Sequence, residues 1–272
     1  LDRAIGVIDS GVGGLTVAHE LMRQLPKERL IYLGDTLRCP YGPRSEAEVR
    51  QFTEEMVAFL LQKEIKMLVI ACNTATAFAL EDLQEKLDIP VIGVIQPGAR
   101  AAIKTTVNGH VAVIGTDGTI RSGAYPEALK RIKEELVVTP LACPRFVPLV
   151  ERGLQTGPEA EQVVNESLKP LETDPDIDTL ILGCTHYPLL KDTIQKFVGE
   201  NVSIISSGEE TAREASTILD VHGLLYKGDR QPRHAFYTTG DLDMFTQISR
   251  TIFHSSINNL ETVRIERAVI QQ

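Results

Sequence analysis

Two cysteines, Cys72 and Cys184, end apolar runs in matching surroundings: residues 68–75 read LVIACNTA and residues 180–189 read LILGCTHYPL. In each, a buried strand would deliver the sulfur to the mouth of a following helix. A helix N-terminus favours negative charge, which lowers a thiol's pKa and makes its sulfur a usable base or nucleophile. A lone free cysteine behaves as a small buried hydrophobe. Two in matching settings, each followed by Asn or Thr donors, point to chemistry instead. Cys39, in TLRCPYGPR, and Cys143, in LACPRF, lack that setting and read as structural.

Other polar residues gather at similar places. Asp9 and Ser10 end the first apolar run in IDSGVGG, where Gly11, Gly13 and Gly14 are followed by Thr16. A dinucleotide fingerprint wants glycine at that last position. The small residues better suit backbone N–H groups approaching a small anion. A carboxylate there needs a partner, and Asp9 can also cap the following helix. His186 lies two residues beyond Cys184, within reach of a candidate base. Glu151, in FVPLVERG, faces solvent on pattern alone. Tyr41 and Gly42, in CPYGPR, form a proline-flanked turn suited to a lid or a backbone contact.

These residues need a frame to hold them. The chain has 272 residues, 43% of them hydrophobic, enough for one large or two modest cores. Its 28 basic and 37 acidic groups give a formal charge of −9, with no basic stripe, which argues against nucleic acid as the main partner. The four cysteines form no C-x-x-C or His/Cys cluster at metal spacing, so no metal site is expected. No charged-then-apolar leader and no membrane-length apolar run is visible, which places the chain in the cytoplasm with free thiols.

Short apolar runs alternate with longer amphipathic stretches, the pattern of an α/β protein with parallel strands. Strands are expected at 4–9, 30–34, 67–71, 91–94, 111–115, 179–183 and 202–206. A helix is expected over 45–64, opened by a capping box of Ser45 and Glu48, with Val49, Phe52, Met56, Phe59 and Leu60 on one face. Pro188 suits the first turn of a helix after Cys184, and the proline-rich 140–148 reads as a loop. The chain also resembles itself: GVIDSGVGGLT (6–16) matches AVIGTDGTIRS (112–122), as LVIACNTATA matches LILGCTHYPL. Asp9 and Gly115 lie 106 positions apart, Cys72 and Cys184 112. Near-equal offsets suggest two related α/β domains, each offering a turn and a cysteine at its strand ends; βα units resemble one another in general, and the paired cysteines are what favour a true repeat.

Taken in order, IDSGVGGLTV, GDTLRCPYGPR, ACNTATA, LACPRFVPLVERG and LGCTHYPLL resemble the glutamate racemase family along essentially the whole chain. Aspartate racemases share the fold and paired cysteines but resemble these segments less. The resemblance implies two facing parallel-sheet α/β domains with the active site in the cleft between them: residues 1–95 with 208–272, and residues 96–207. It implies cofactor-independent interconversion of L- and D-glutamate, with no metal, supplying D-glutamate for peptidoglycan, by a homodimer. It also implies Cys72 and Cys184 as the acid/base pair, assisted by Asp9, Glu151 and His186. Asp9, Ser10, Tyr41, Gly42, Asn73, Thr74, Thr116, Thr119, Thr185 and His186 carry over as substrate-binding positions. Inverting a carbon needs a base on each face, which two thiols from mirrored strand ends would provide.

Two other readings make different forecasts. A thiol–disulfide oxidoreductase would join Cys72 to Cys184 under mild oxidation. A non-catalytic ligand-binding module would bind its ligand without exchanging the ligand's protons with solvent.

Overall fold

The structure, a computed structural model, describes residues 2–229, 231–267 and 270. Positions 1, 230, 268, 269, 271 and 272, which fall within the span assigned above to the first domain, lie outside the described residues. Two parallel sheets organise the chain. The first six elements after the N-terminus are β1 (Ala4–Asp9), α1 (Leu15–Gln24), β2 (Leu30–Gly34), α2 (Glu46–Leu61), β3 (Ile65–Ile70) and α3 (Asn73–Lys86). β4 (Val91–Gly93) then leads into α4 (Ile95–Thr105), which carries the chain to the second sheet.

That sheet begins with β5 (His110–Gly115), α5 (Asp117–Ser122), α6 (Ala124–Ile132) and β6 (Val137–Ala142). It continues through α7 (Phe146–Glu151), α8 (Pro158–Leu168), β7 (Thr179–Gly183), α9 (Lys191–Val198) and β8 (Ser203–Ser206). The chain returns through α10 (Ser207–Val221), which packs against both α1 and α4. β9 (Ala235–Thr238), α11 (Leu242–Phe253) and β10 (Leu260–Thr262) complete the first sheet.

The order β2-β1-β3-β4 in the first sheet is matched by β6-β5-β7-β8 in the second, all pairs parallel. β1 therefore corresponds to β5 and β3 to β7, the pairing expected from the internal repeat. Strand residues alternate between two cores. Val111 and Val113 of β5 enter one cluster with α4 and α6, while Ala112 and Ile114 enter another with α7 and α8. A sheet covered on both faces reads as an unbroken apolar run, which is why these strands were visible in the sequence.

Three strands fall outside the expected set. β6 runs through Pro140, in the stretch read as a loop; it is an outer strand with part-exposed residues, where a missing N–H is tolerated. β9 and β10 are short and extend the opposite edge of the first sheet. β3 also starts earlier than expected, at Ile65. Lys66, 3% exposed, interrupts the apolar pattern there but pairs with Glu28 at 2.7 Å, a partner that permits a buried charge. α2 has the expected capping box, Ser45 Oγ accepting from the Glu48 N–H while the Glu48 carboxylate accepts from the Ser45 N–H.

Candidate active site

The strand ends of the two sheets meet. Ser10, Tyr41, Gly42, Cys72, Asn73 and Thr74 from the first sheet, with Thr116, Cys184, Thr185 and His186 from the second, line one small cavity together with Pro40 and Val147. The free space for a water centre is about 10 Å³, roughly one water molecule. An amino acid needs more, so the two sides must part to admit one. A larger hollow of about 200 Å³ between α2, α3, α4 and α6 is lined by groups such as Arg50, Glu81 and Arg131, and no cysteine or histidine reaches it.

Cys72 caps α3 through its sulfur, which accepts from the Ala75 N–H at 3.4 Å. Its S–H donates to Ser10 Oγ at 3.6 Å. The helix mouth was expected to lower this thiol. Burial, with the Asp9 carboxylate as second cause, instead pushes it up to about 12, outweighing the N–H contact and Ser10. Cys72 therefore rests as a neutral thiol.

Cys184 has a different setting. A 3₁₀ turn (Tyr187–Leu190) follows it, with Pro188 in its first positions, and α9 begins only at Lys191. The helical turn after Cys184 opens as a 3₁₀ turn rather than an α-helix, and beside the sulfur stands His186, its Nδ1 3.9 Å away. The other ring nitrogen, Nε2, lies 3.3 Å from Glu151 Oε1. Burial opposes charge on this imidazole, but Cys184 and Glu151 on its two sides prevail and raise it to about 10. Glu151 shifts the opposite way: burial works against its charge, and bonds to His186 and Cys39 hold the carboxyl below the usual range. Glu151 thus turns inward, contrary to its solvent-facing pattern. An imidazolium beside the Cys184 sulfur supplies a counter-charge for a thiolate.

His186 has a raised pKa in the folded chain, against about 6.5 when unfolded. Its contribution to stability is fully present below about pH 6.5 and is lost as pH rises toward 10. Thermal unfolding of wild type and His186→Gln from pH 6 to pH 10 should show the wild-type advantage shrinking across that window. A difference that stays level would contradict the raised imidazolium.

Asp9 joins the two sides. Oδ2 accepts from the N–H groups of Gly11 and Gly14, both at 3.0 Å, and Oδ1 accepts from Thr185 Oγ1 at 3.2 Å. Burial raises its pKa in spite of His186 and these donors. Gly13 permits the approach: a Cβ there would sit 2.5 Å from both His186 Nδ1 and Thr185 Oγ1. The hydroxyls of Thr74, Thr116 and Thr119 form a closed triangle of 2.8, 3.1 and 3.1 Å across the sheets. Asn73 Oδ1 accepts from Tyr125 OH at 2.6 Å, which orients its amide. The Tyr41 hydroxyl is committed to Asp35 at 2.5 Å, and Tyr41 and Gly42 both line the cavity.

All the residues singled out in the sequence lie in or against this cluster. Cys39, read as structural, also belongs to it: its S–H donates to Glu151 Oε1 at 3.0 Å. Its place two residues before Tyr41 was the available signal. Cys143 is fully buried in the core beside α7. Among the described residues lining the cavity no Lys or Arg appears, so a bound anion would meet hydroxyls, amides, backbone N–H groups and the His186 imidazolium.

Residues 5–215 match the family model described as Asp/Glu/Hydantoin racemase. The chain belongs to that family. It is 67% identical to a glutamate racemase of Oceanobacillus iheyensis over 264 residues, covering 97% of this chain and 96% of the relative. Among solved members of the family, a glutamate racemase isoform from Bacillus anthracis superposes with a TM-score of 0.93 at 54% identity, covering 97% of this chain and 98% of that one. A Francisella tularensis glutamate racemase in complex with D-glutamate superposes with a TM-score of 0.91 at 36% identity, covering 98% and 99%. The α/β fold with two parallel sheets is that of these racemases.

Proposed function

We propose that this chain is a glutamate racemase that interconverts L- and D-glutamate without a cofactor and supplies D-glutamate for peptidoglycan. The observation that carries the reading is the convergence of Cys72 and Cys184, from equivalent strand ends of two sheets with the same strand order, on one cavity. Near-full-length relatives that are glutamate racemases support it. The two sulfurs stand in different settings, a thiol at Cys72 and, beside Cys184, the His186 imidazolium.

In this reading Cys184 removes the α-proton of L-glutamate and Cys72 protonates the opposite face; D-glutamate reverses the roles. His186, held by Glu151, supports the Cys184 thiolate. Asp9 fixes the Gly11–Gly14 turn and Thr185. Ser10, Asn73, Thr74, Thr116, Thr119, Thr185, His186 and the Tyr41–Gly42 backbone bind glutamate. Its carbanion-like intermediate is stabilised by aimed donors in a site from which closure expels water. The two domains are residues 1–95 with 208–272, and residues 96–207. They part for substrate entry and close for chemistry. A cytoplasmic homodimer completes the proposal, supported by the resemblance; no helix among the described residues is long and apolar enough to cross a membrane.

The test is incubation of the purified chain with L-glutamate in heavy water, with no pyridoxal phosphate, metal or nucleotide added. D-Glutamate carrying deuterium at the α-carbon is the expected product. Its absence until a cofactor is supplied, or equal turnover of aspartate, would overturn the reading.

Closeness at Gly13 gives a second forecast. In Gly13→Ala the methyl group meets His186 and Thr185, so the two sides cannot close fully. A displacement of about 1 Å at the reacting atoms costs about 10²-fold. Racemisation should fall by about that factor, while far-ultraviolet circular dichroism stays native. Wild-type activity in this variant would mean that the approach does not matter.

A further inference from the structure

We infer that Cys39, Glu151 and His186 form a binding site for a borderline-soft divalent cation, with Zn²⁺ the best fit, beside Cys184. Their donor atoms, one sulfur, one oxygen and one nitrogen, all lie within 4.8 Å of one another. Cys39 Sγ is 3.0 Å from Glu151 Oε1, which is 3.3 Å from His186 Nε2. Tetrahedral Zn²⁺ with ordinary bonds to these donor types spaces its ligand atoms roughly 3.2–3.7 Å apart, so small side-chain movements complete the site. Thiolate and imidazole select zinc-like ions over Mg²⁺ and Ca²⁺, which prefer oxygen alone.

The surroundings suit a ligated imidazole. With Nε2 on the metal, the His186 Nδ1–H points at the Cys184 sulfur 3.9 Å away, the outer hydrogen bond such ligands make. Cys39 and Glu151 are only partly buried, which leaves a path from solvent to the site. Their grouping was invisible in the sequence because they come from three separate segments, 112 and 35 positions apart.

Binding is a ligand exchange without oxidation. The Cys39 S–H and the His186 imidazolium each release a proton to solvent as metal–sulfur and metal–nitrogen bonds form. Two consequences follow for turnover. The imidazolium beside Cys184 becomes a neutral imidazole held on the metal through Nε2. Cys39, on the loop after β2, becomes tied to Glu151 and His186 of the second sheet, stapling shut a cavity that must widen to admit substrate. Zn²⁺ should therefore inhibit reversibly; this consequence rests on the racemase reading, whereas metal binding does not.

The full chain, reduced and freed of metal, is titrated with Co²⁺ as a spectroscopic probe and then with Zn²⁺. One equivalent of Co²⁺ should give a sulfur-to-metal charge-transfer band that Zn²⁺ abolishes and that Cys39→Ser lacks. Racemisation should be inhibited by Zn²⁺ and restored by a chelator, with the inhibition midpoint at least tenfold higher in Cys39→Ser. Alkylation read by mass spectrometry needs no variant: Zn²⁺ should protect Cys39 in the wild-type chain. The inference is overturned by a missing band, by a band that persists in Cys39→Ser, by unaltered labelling of Cys39, or by an unchanged inhibition midpoint, which would place the metal on Cys72 and Cys184. Were the chain to racemise nothing, the band and the labelling would still decide whether the site exists.

Discussion

Cys72→Ser and Cys184→Ser are each expected to lose racemisation by about 10⁴-fold, the upper end of what one acid/base group contributes. Serine keeps the approximate shape but is a far poorer base than a thiolate. Both faces of the α-carbon must be served in every turnover, so neither cysteine can cover for the other. Native circular dichroism and retained glutamate binding would separate this from misfolding. Either variant keeping more than a tenth of wild-type activity would exclude its sulfur from the reaction.

His186→Asn should produce the next largest effect. The imidazolium, raised to about 10 between Cys184 and Glu151, is the only cationic group among the described residues lining the cavity. Losing it should lower kcat/KM by about 10²–10³-fold, within the range for a group that assists proton transfer. The loss must be equal for the two directions, because enantiomers have equal free energies and their interconversion has an equilibrium constant of one. The asymmetry appears in half-reactions instead. α-Proton removal from an L-configured analogue, assigned here to Cys184, should slow, while removal from the D form should not. Equal slowing of both would mean that His186 supports the whole site rather than one sulfur.

The ground plan was legible because its strands are covered on both faces. β1, β2 and β7 begin and end where their apolar runs do. Three strands carry less signal: Pro140 disguised the outer strand β6, and β9 and β10, at one side of the first sheet, are too short and polar-flanked to show a period. The paired cysteines were legible as a repeat, and the equal strand order gives the repeat its structural form. Their electrostatics were not. A helix mouth suggested two similar low-pKa thiols, but burial beside Asp9 raises Cys72, and at Cys184 a 3₁₀ turn stands before α9 with His186 beside the sulfur. Such outcomes depend on distances between residues far apart in the chain. The same holds for Cys39 and Glu151, which local pattern assigned to structure and solvent and which folding brings together at 3.0 Å.

The division of labour between the sulfurs is tested most directly with an analogue of glutamate bearing a leaving group on its β-carbon. Elimination needs one proton removed from one face, after which the leaving group departs with its bonding electrons and no reprotonation opposite is required. Each Cys→Ser variant is given the L and the D analogue, and the released anion is measured. Cys72→Ser should eliminate from the L analogue and fail with the D form; Cys184→Ser should do the reverse. An inverted pattern would keep two bases but exchange their assignment. Equal handling of both enantiomers by both folded variants would mean a single shared base, and would contradict the two-thiol account.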